Sequence, residues 1–218
     1  MPHHHAADIG ILILAAGHGR RFKAAGGEGL KLMARYPEPQ ADQWAKHQTA
    51  NQEQVEYRPL LYWTLQQALR SGLPVHLVTR PGLKPLQHLA QALKISMTLI
   101  DSQGSGESIA AGVQATLAWS GWLIQPGDMP WVQAADYRQV ATALHSGAAQ
   151  ARLMYQGKPG HPVGFDRRYQ EALSQLQGDQ GARALLETSQ LETLEAHRGT
   201  ITDADLPPPD FSTAQYPP

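Results

Sequence analysis

The most informative segment of the chain reads Ile11-Leu12-Ile13-Leu14-Ala15-Ala16-Gly17-His18-Gly19-Arg20-Arg21-Phe22, and Gly29-Leu30-Lys31-Leu32-Met33 follows shortly after it. An apolar run typical of a buried strand gives way to two small residues and two glycines, which let a bound group approach the main chain. Arg20, Arg21 and Lys31 add positive charge beside the backbone N–H groups of this loop. The segment therefore predicts a buried strand that ends in a loop suited to hold a polyphosphate.

Two familiar phosphate-binding loops do not fit this segment. A Walker A loop places four residues between its glycines and continues with Gly-Lys-Ser/Thr, which is missing here. A dinucleotide fingerprint needs a small residue at the position of Phe22, and a helix that opens there. Because two glycines after a strand are also typical of a tight turn, the phosphate-binding interpretation depends on the basic residues.

The composition limits the possible classes of protein. The chain has 218 residues, of which 42% are hydrophobic, enough for one large domain or two small ones. Its formal net charge of −1 argues against a general nucleic-acid surface, and the absence of cysteine excludes disulfides and thiolate chemistry. Because no apolar run approaches the roughly 18 residues of a membrane helix, and no signal-peptide pattern opens the chain, we expect a cytoplasmic protein without a membrane partner.

Strand-like and helix-like segments alternate through most of the chain. The predicted strands cover 9–14, 74–79, 95–100 and 122–125, and the predicted helices cover 59–69, 84–93, about 107–119 and 134–144. This alternation predicts an α/β fold with a mostly parallel sheet covered by helices on both faces. Ligands of such sheets bind beyond the carboxyl ends of the strands, where the loop after Leu14 and the sequence after Gln125 both lie.

Two segments break the alternation. Residues 34–57 are rich in Gln and poor in aliphatic side chains, which predicts a surface insertion or mobile flap rather than a second domain. Residues 207–218 are rich in Pro, and we expect this tail to be extended or disordered.

A carboxylate follows the fourth predicted strand in Pro126-Gly127-Asp128-Met129-Pro130. An Asp on an exposed turn often only shapes the turn. The position of Asp128 at the ligand edge favours a Mg²⁺ ligand instead, because Mg²⁺ is typically held by one or two carboxylates plus substrate phosphates. Asp205 in Asp203-Ala204-Asp205 could bring a second carboxylate to the metal, although a polar loop before the tail is an adequate alternative.

The segment from Asp101 to Gly112 joins the third strand to the next helix. A capped connection, with Ser108 or Ser105 as the capping residue, accounts well for the serines. The strand-terminal Asp101 and the glycines Gly104 and Gly106 better suit a ribose and a base that lie against the backbone.

The second half of the chain offers two further motifs. Gly157 to Phe165 contains His161 and leads into a strand, and Gly178-Asp179 precedes Gly181-Ala182-Arg183 at the start of a predicted helix. Helix N-termini attract anions and Arg183 would strengthen this, but a turn followed by a helix explains the motif equally well. His161 beside a proline is more often structural than catalytic. No Ser/His/Asp order and no metal-spaced His pair is present, so covalent catalysis is not indicated.

Together these motifs resemble the molybdenum-cofactor nucleotidyltransferases, particularly their cytidylyltransferase branch. In chain order the matching motifs are Leu14-Ala15-Ala16-Gly17 with Gly19, Arg21 and Phe22; Leu30-Lys31-Leu32; Arg58-Pro59-Leu60-Leu61; Gly106 with Ser108-Ile109-Ala110-Ala111-Gly112; Gly127-Asp128-Met129-Pro130; Gly160-His161-Pro162; and Gly178-Asp179 with Gly181-Ala182-Arg183. The resemblance spans most of the chain and implies a three-layer α/β/α nucleotidyltransferase domain over residues 1–206. The tail departs from the family pattern Asp-x-Asp-Thr-Pro, because Leu206 replaces the Thr.

The resemblance also implies a set of site residues. The residues that would bind the nucleotide are Leu14, Ala15, Ala16, Gly17, Gly19, Arg20, Arg21, Lys31, Asp101, Gly104, Gly106 and Ser108. Arg21, Lys31 and Asp128 would act in catalysis, with Mg²⁺ on Asp128 and on Asp205 if the altered tail still reaches it. The residues that would face the pterin substrate are His161, Asp179 and Arg183.

The implied activity is transfer of CMP from CTP to the phosphate of molybdopterin, with release of pyrophosphate and a molybdoenzyme as a possible partner. Ala15-Ala16 favours CTP, since relatives with Gly-Gly at these positions resemble GTP users. The alternatives are a nucleotidyltransferase that uses GTP or acts on a sugar or isoprenoid phosphate, and a non-catalytic nucleotide-binding partner in molybdoenzyme maturation.

Overall fold

A seven-stranded sheet forms the centre of the computed structural model, which describes residues 8–17, 19–39 and 56–204, without the side chains of Arg20 and Arg21. The strands of this sheet are β1 (Ile9–Leu14), β4 (Val75–Thr79), β5 (Ser96–Leu99), β6 (Gly121–Pro126), β7 (Gln150–Tyr155), β8 (Lys158–Asp166) and β9 (Leu191–Glu195). Two further strands, β2 (Arg35–Pro37) and β3 (Tyr57–Pro59), form a separate ribbon. The α-helices are α1 (Arg20–Ala24), α2 (Leu60–Arg70), α3 (Lys84–Ala92), α4 (Ser105–Ala115), α5 (Ala134–His145) and α6 (Gln170–Ser174). Short 3₁₀ helices cover Lys31–Met33, Arg167–Tyr169, Gly181–Leu185 and Arg198–Ile201.

The sheet has the strand order β5-β4-β1-β6-β8-β7-β9, and only β8 runs antiparallel to its neighbours within the described residues. The prediction of a mostly parallel α/β sheet is therefore confirmed. β1 lies inside the sheet, between β4 and β6, because its side chains are apolar on both faces, and Ile11, Leu12 and Ile13 are fully buried. Its last residue, Leu14, pairs with Val78 of β4 and Pro126 of β6, so three parallel strands end side by side.

Two apolar clusters cover the two faces of the sheet and confirm the three layers. One cluster contains Ile11 and Ile13 with buried residues of α2, α3 and α5. The other contains Leu12 and Val78 with buried residues of α4 and α6. Among the helices that the structure describes, none is long and apolar enough to cross a membrane.

The sequence located the parallel strands and long helices well but was wrong at two places. The predicted helix after Gly178 is a five-residue 3₁₀ helix, Gly181–Leu185, because Gly178 and Gly181 have positive φ angles of 70° and 54° that an α-helix excludes. A short helix, α1, begins at Arg20, where the sequence analysis expected none. The helix predicted from about residue 107 begins at Ser105 and ends at Ala115.

The two ends of the predicted insertion at 34–57 form an antiparallel ribbon, in which Arg35 of β2 pairs with Pro59 of β3 and Pro37 pairs with Tyr57. The Trp63 indole nitrogen donates a hydrogen bond of 2.8 Å to the Tyr36 carbonyl and ties the ribbon to α2. The interior of the insertion, residues 40–55, lies outside the described residues, as do the predicted tail and Asp205.

Candidate nucleotide site

A cleft of about 520 Å³ lies beyond the carboxyl ends of β1 and β6, a size that suits a nucleotide. It brings together most of the residues that the sequence analysis assigned to the nucleotide. Those that line it are Leu14, Ala15, Ala16, Gly17, Gly19, Lys31, Gly104 and Ser108, joined by Asp128 and Asp179. The side chains of Arg20 and Arg21 are not described, but the backbone of both residues follows Gly19 directly in α1.

The floor of the cleft is formed by the loops that follow β1 and β6. The Ala15 N–H donates to the Val78 carbonyl at 2.8 Å, and the Gly127 N–H donates to the Leu14 carbonyl at 2.9 Å. A side chain at Gly127 would place its Cβ 3.0 Å from the Leu14 carbonyl oxygen, so glycine allows the two loops to lie this close. Small residues therefore expose main chain at the end of the central strands, as the sequence predicted.

Lys31 and Asp128 form an ion pair across this floor, with 2.7 Å between Lys31 Nζ and Asp128 Oδ2. The Lys31 side chain is 7% exposed and that of Asp128 27%, so water reaches the pair mainly from the carboxylate side. Gly19 has a positive φ of 62°, a conformation that favours glycine, and its α-carbon faces Lys31. The pair places one cation and one anion side by side where the phosphates of a nucleotide would enter.

The turn that carries Asp128 is held from two sides. The Thr64 hydroxyl donates to the Gly127 carbonyl at 2.9 Å, and the Ala204 N–H donates to the Asp128 carbonyl at 2.9 Å. The second contact brings the segment before Asp205 next to Asp128. Within the described residues no cluster of three or more His, Asp or Glu side chains could hold a metal ion by itself. Asp128 could contribute one carboxylate to a divalent metal ion that takes its other ligands from phosphates and water.

The opposite wall of the cleft is the start of α4. The residue that precedes the helix is Gly104, so neither Ser105 nor Ser108 is the capping residue. Glu107 instead accepts hydrogen bonds from the N–H groups of Gly178 and Gly104, both at 2.9 Å, and these bonds lower the pKa of Glu107. The carboxylate of Glu107 thereby ties residue 178 to the helix that lines the cleft.

Two residues predicted to contact base or ribose lie outside the cleft lining. Asp101 is exposed and is not part of the wall. Gly106 is buried against the segment at 177–178, and a Cβ there would approach the Gln177 carbonyl carbon to 2.6 Å. Gly106 therefore allows close packing of two chain segments, a requirement that the sequence motif does not distinguish from close approach of a ligand.

The three residues predicted to face the acceptor lie in different places. Asp179 lines the nucleotide cleft, where its carbonyl accepts a hydrogen bond of 3.1 Å from the Ser105 hydroxyl. Arg183 is exposed on the 3₁₀ helix Gly181–Leu185. His161 lies on β8, where burial lowers the pKa of its imidazole to about 4; the charge of Arg152 lowers this pKa further, and Asp128 opposes the shift.

Arg152 on β7 is a residue that the sequence analysis missed. It is the one charged side chain in the strand Gln150–Tyr155, and a lone arginine between Ala151 and Leu153 was the signal that the sequence offered. Arg152 pairs with Val163 of β8, which lies two residues after His161, so it lies on the strand next to this predicted acceptor residue.

Comparisons with known proteins agree with this geometry. Residues 11–196 match the MobA-like NTP transferase domain, and the chain therefore belongs to that family. No curated protein sequence matches the chain significantly. The resemblance stated from the motifs is thus confirmed at the level of NTP transferases, whereas the molybdenum-cofactor cytidylyltransferase branch stays a prediction.

Several solved structures share the fold at low sequence identity. Rv0371c from Mycobacterium tuberculosis H37Rv superposes with a TM-score of 0.73 at 19% identity over 92% of this chain and 94% of that chain. A manganese complex of Rv0371c gives a TM-score of 0.63 at 17% identity over 91% and 96%. A nucleotidyl transferase from Methanothermobacter thermautotroptrophicus, Mth528, gives 0.67 at 19% identity over 91% and 92%. The 4-diphosphocytidyl-2C-methyl-D-erythritol synthase from Anaerococcus prevotii gives 0.59 at 14% identity over 90% and 92%.

Proposed function

We propose that the protein is a Mg²⁺-dependent cytidylyltransferase that transfers CMP from CTP to the phosphate of molybdopterin. A phosphate oxygen of the acceptor attacks the α-phosphorus of CTP, and the bond from that phosphorus to the bridging oxygen of pyrophosphate breaks. The acceptor oxygen is already anionic, so no general base has to remove a proton. Catalysis then consists of positioning and charge neutralisation.

The observation that carries this proposal is the Lys31–Asp128 pair on the floor of a nucleotide-sized cleft. Lys31 holds a cation beside the entering phosphates, and backbone N–H groups of the loop after β1 add donors. The backbone of Arg21 follows this loop in α1, and we infer that its side chain also contacts the phosphates. Asp128 would hold Mg²⁺, which would neutralise charge on the phosphates and the departing pyrophosphate when bound. Binding of a nucleotide alone does not require a buried lysine paired with a partly exposed carboxylate.

The preference for CTP is supported by Ala15 and Ala16, because family members that resemble GTP users carry Gly-Gly at these two positions. A second candidate function has support of its own, because one structural neighbour is a 4-diphosphocytidyl-2C-methyl-D-erythritol synthase. This chain would then transfer CMP to an isoprenoid-precursor or sugar phosphate. Both candidates use the same nucleotide cleft and differ only in the acceptor.

Pyrophosphate release measured with each of the four nucleoside triphosphates tests the proposal. We expect release with CTP and Mg²⁺ only when molybdopterin is added; release with 2C-methyl-D-erythritol 4-phosphate instead would establish the second candidate. Asp128→Asn keeps the shape of the side chain but removes its charge, and should abolish the metal-dependent release. Full turnover by this variant would show that Asp128 does not hold the metal.

A further inference from the structure

Arg152 lies on the face of the sheet that carries α4 and α6. Its neighbours along β7, Ala151 and Leu153, are fully buried in the cluster on the α5 side. Since side chains alternate along a strand, Arg152 and Gln150 point to the opposite face. The Gln150 side chain confirms this direction, because it donates to the Leu185 carbonyl at 2.5 Å. Arg152 therefore shares its face with the 3₁₀ helix that carries Arg183.

The guanidinium of Arg152 is poorly satisfied in this position. Its Nε atom is buried and has no hydrogen-bond partner among the described residues. Burial lowers the pKa of Arg152, and the positive charge of Arg183 lowers it further. No carboxylate of the described chain forms an ion pair with Arg152 or Arg183. Arg152 thus carries a partly buried charge that no carboxylate of the described residues offsets, and such a charge costs folding free energy.

Strand pairing connects Arg152 to the nucleotide cleft. Val163 of β8 pairs with Arg152 on one side and with Ile124 of β6 on the other. Because β8 runs antiparallel to β6, His161 lies toward the carboxyl end of β6, where Pro126 lines the cleft. His161 Nδ1 is a further buried atom without a partner in the part of the chain that is described. Arg152 Nε and His161 Nδ1, two buried atoms without a partner among the described residues, therefore lie on the β7–β8 side of the cleft and not beside the loop after β1.

We propose that Arg152 and Arg183 form a binding site for the phosphate group of the acceptor. A phosphate monoester brings two negative charges and several acceptor oxygens, which match two guanidinium groups better than any neutral moiety does. This site would hold the acceptor phosphate on the far side of Asp128 from the nucleotide loop, so that its oxygen faces the α-phosphorus. That Arg152 and Arg183 bind an anion does not depend on the proposed function. That this anion is the phosphate of the acceptor rests on it.

Inorganic phosphate is the probe for this site, and Arg152→Gln is the first variant. We expect Arg152→Gln to raise the apparent Kd for phosphate at least about tenfold, because a charge-assisted contact is lost. Without phosphate the same variant should melt about 2–4 °C higher than the native chain, since a partly buried charge without a carboxylate partner is removed. Arg152→Met keeps more of the apolar side chain and should behave alike if Gln packs poorly. Arg183→Gln should weaken phosphate binding to a similar degree.

Arg167→Gln provides the matched control, because Arg167 is exposed beyond the opposite end of β8. Phosphate that binds the nucleotide loop contributes equally to every variant and drops out of the comparison. If both Arg152 variants bind phosphate as tightly as Arg167→Gln, and neither melts higher, the arginine site is refuted. CTP binding, measured for the native chain and each variant, distinguishes this result from the proposed function. If the native chain does not bind CTP, the proposed nucleotidyltransferase activity is refuted. Loss of phosphate binding in the Arg152 and Arg183 variants alone would still support the anion site.

Discussion

Removal of the charge of Lys31 should destabilise the free protein and at the same time increase its response to Mg²⁺. Lys31→Met keeps most of the buried stem but leaves Asp128 without its cation at 2.7 Å. Hydrogen bonds to charged groups contribute about 1.5–3 kcal/mol, and partial hydration of the 27% exposed Asp128 favours a loss of about 2 kcal/mol. For a chain of this size the melting temperature should fall by about 4–8 °C.

Mg²⁺ should restore much of this loss. In the native chain a metal ion has to share Asp128 with the Lys31 ammonium, whereas in Lys31→Met the carboxylate is available to the metal. A ligand at a hundred times its Kd stabilises by about 2.7 kcal/mol, which is comparable with the contribution of the lost ion pair. Turnover with CTP should nevertheless fall about 10²–10³-fold, because the cation that neutralises the phosphates is gone.

The assay is a melting curve with and without 10 to 100 times the apparent Kd of Mg²⁺, together with pyrophosphate release. Lys84→Met serves as the control, since Lys84 is exposed at the start of α3. The reasoning fails if Lys31→Met melts like the control and Mg²⁺ raises both melting temperatures equally. That outcome would mean that Lys31 does not compete with the metal for Asp128.

Two more predictions concern acid stability and packing. Because the pKa of His161 is about 4 in the folded chain and about 6.5 when unfolded, the unfolded state binds more protons in this interval. The stability contributed by His161 is therefore lost as pH falls from about 6.5 to 4, and urea unfolding of His161→Gln should depend less on pH; an unchanged slope would contradict this. Gly112→Ala would place a Cβ 2.4 Å from Leu12 Cδ1 and 2.8 Å from Val78 Cγ2, so it should cost about 1–3 kcal/mol in urea unfolding. Gly82→Ala, with no heavy atom of the described chain within 4 Å, should cost little, and equal losses in both variants would refute the packing argument.

The residues that line the cleft beyond β1 could be predicted because their signals are local. The apolar run of β1 and the glycines after it lie within a few residues, and strand periodicity places them at the edge of a parallel sheet. Lys31 and Asp128 are 97 positions apart in the chain. The sequence could therefore predict that both belong to one site, but not that they contact each other. Their direct ion pair depends on how two loops pack, which no periodicity encodes.

The residues that we propose to face the acceptor were harder to predict, because their positions depend on contacts between distant segments. Arg152 resembles a solvent-facing polar residue in a strand, because alternation shows which face it takes but not what covers that face. Asp179 was expected beside Arg183, yet the positive φ of Gly181 redirects the chain between them. Asp101, Gly104 and Gly106 belong to one motif, but of these three residues only Gly104 lines the cleft.

The antiparallel course of β8 has a consequence for how new specificities could arise. Since β8 begins rather than ends at the ligand edge, the hairpin at Gln156 and Gly157 is a compact connection beside the acceptor residues. The nucleotide loop comes from the first strand and shares no turn with this hairpin. If β7 and β8 hold the acceptor as proposed, exchange of these two strands between relatives would change the acceptor and leave the nucleotide-binding loop unchanged.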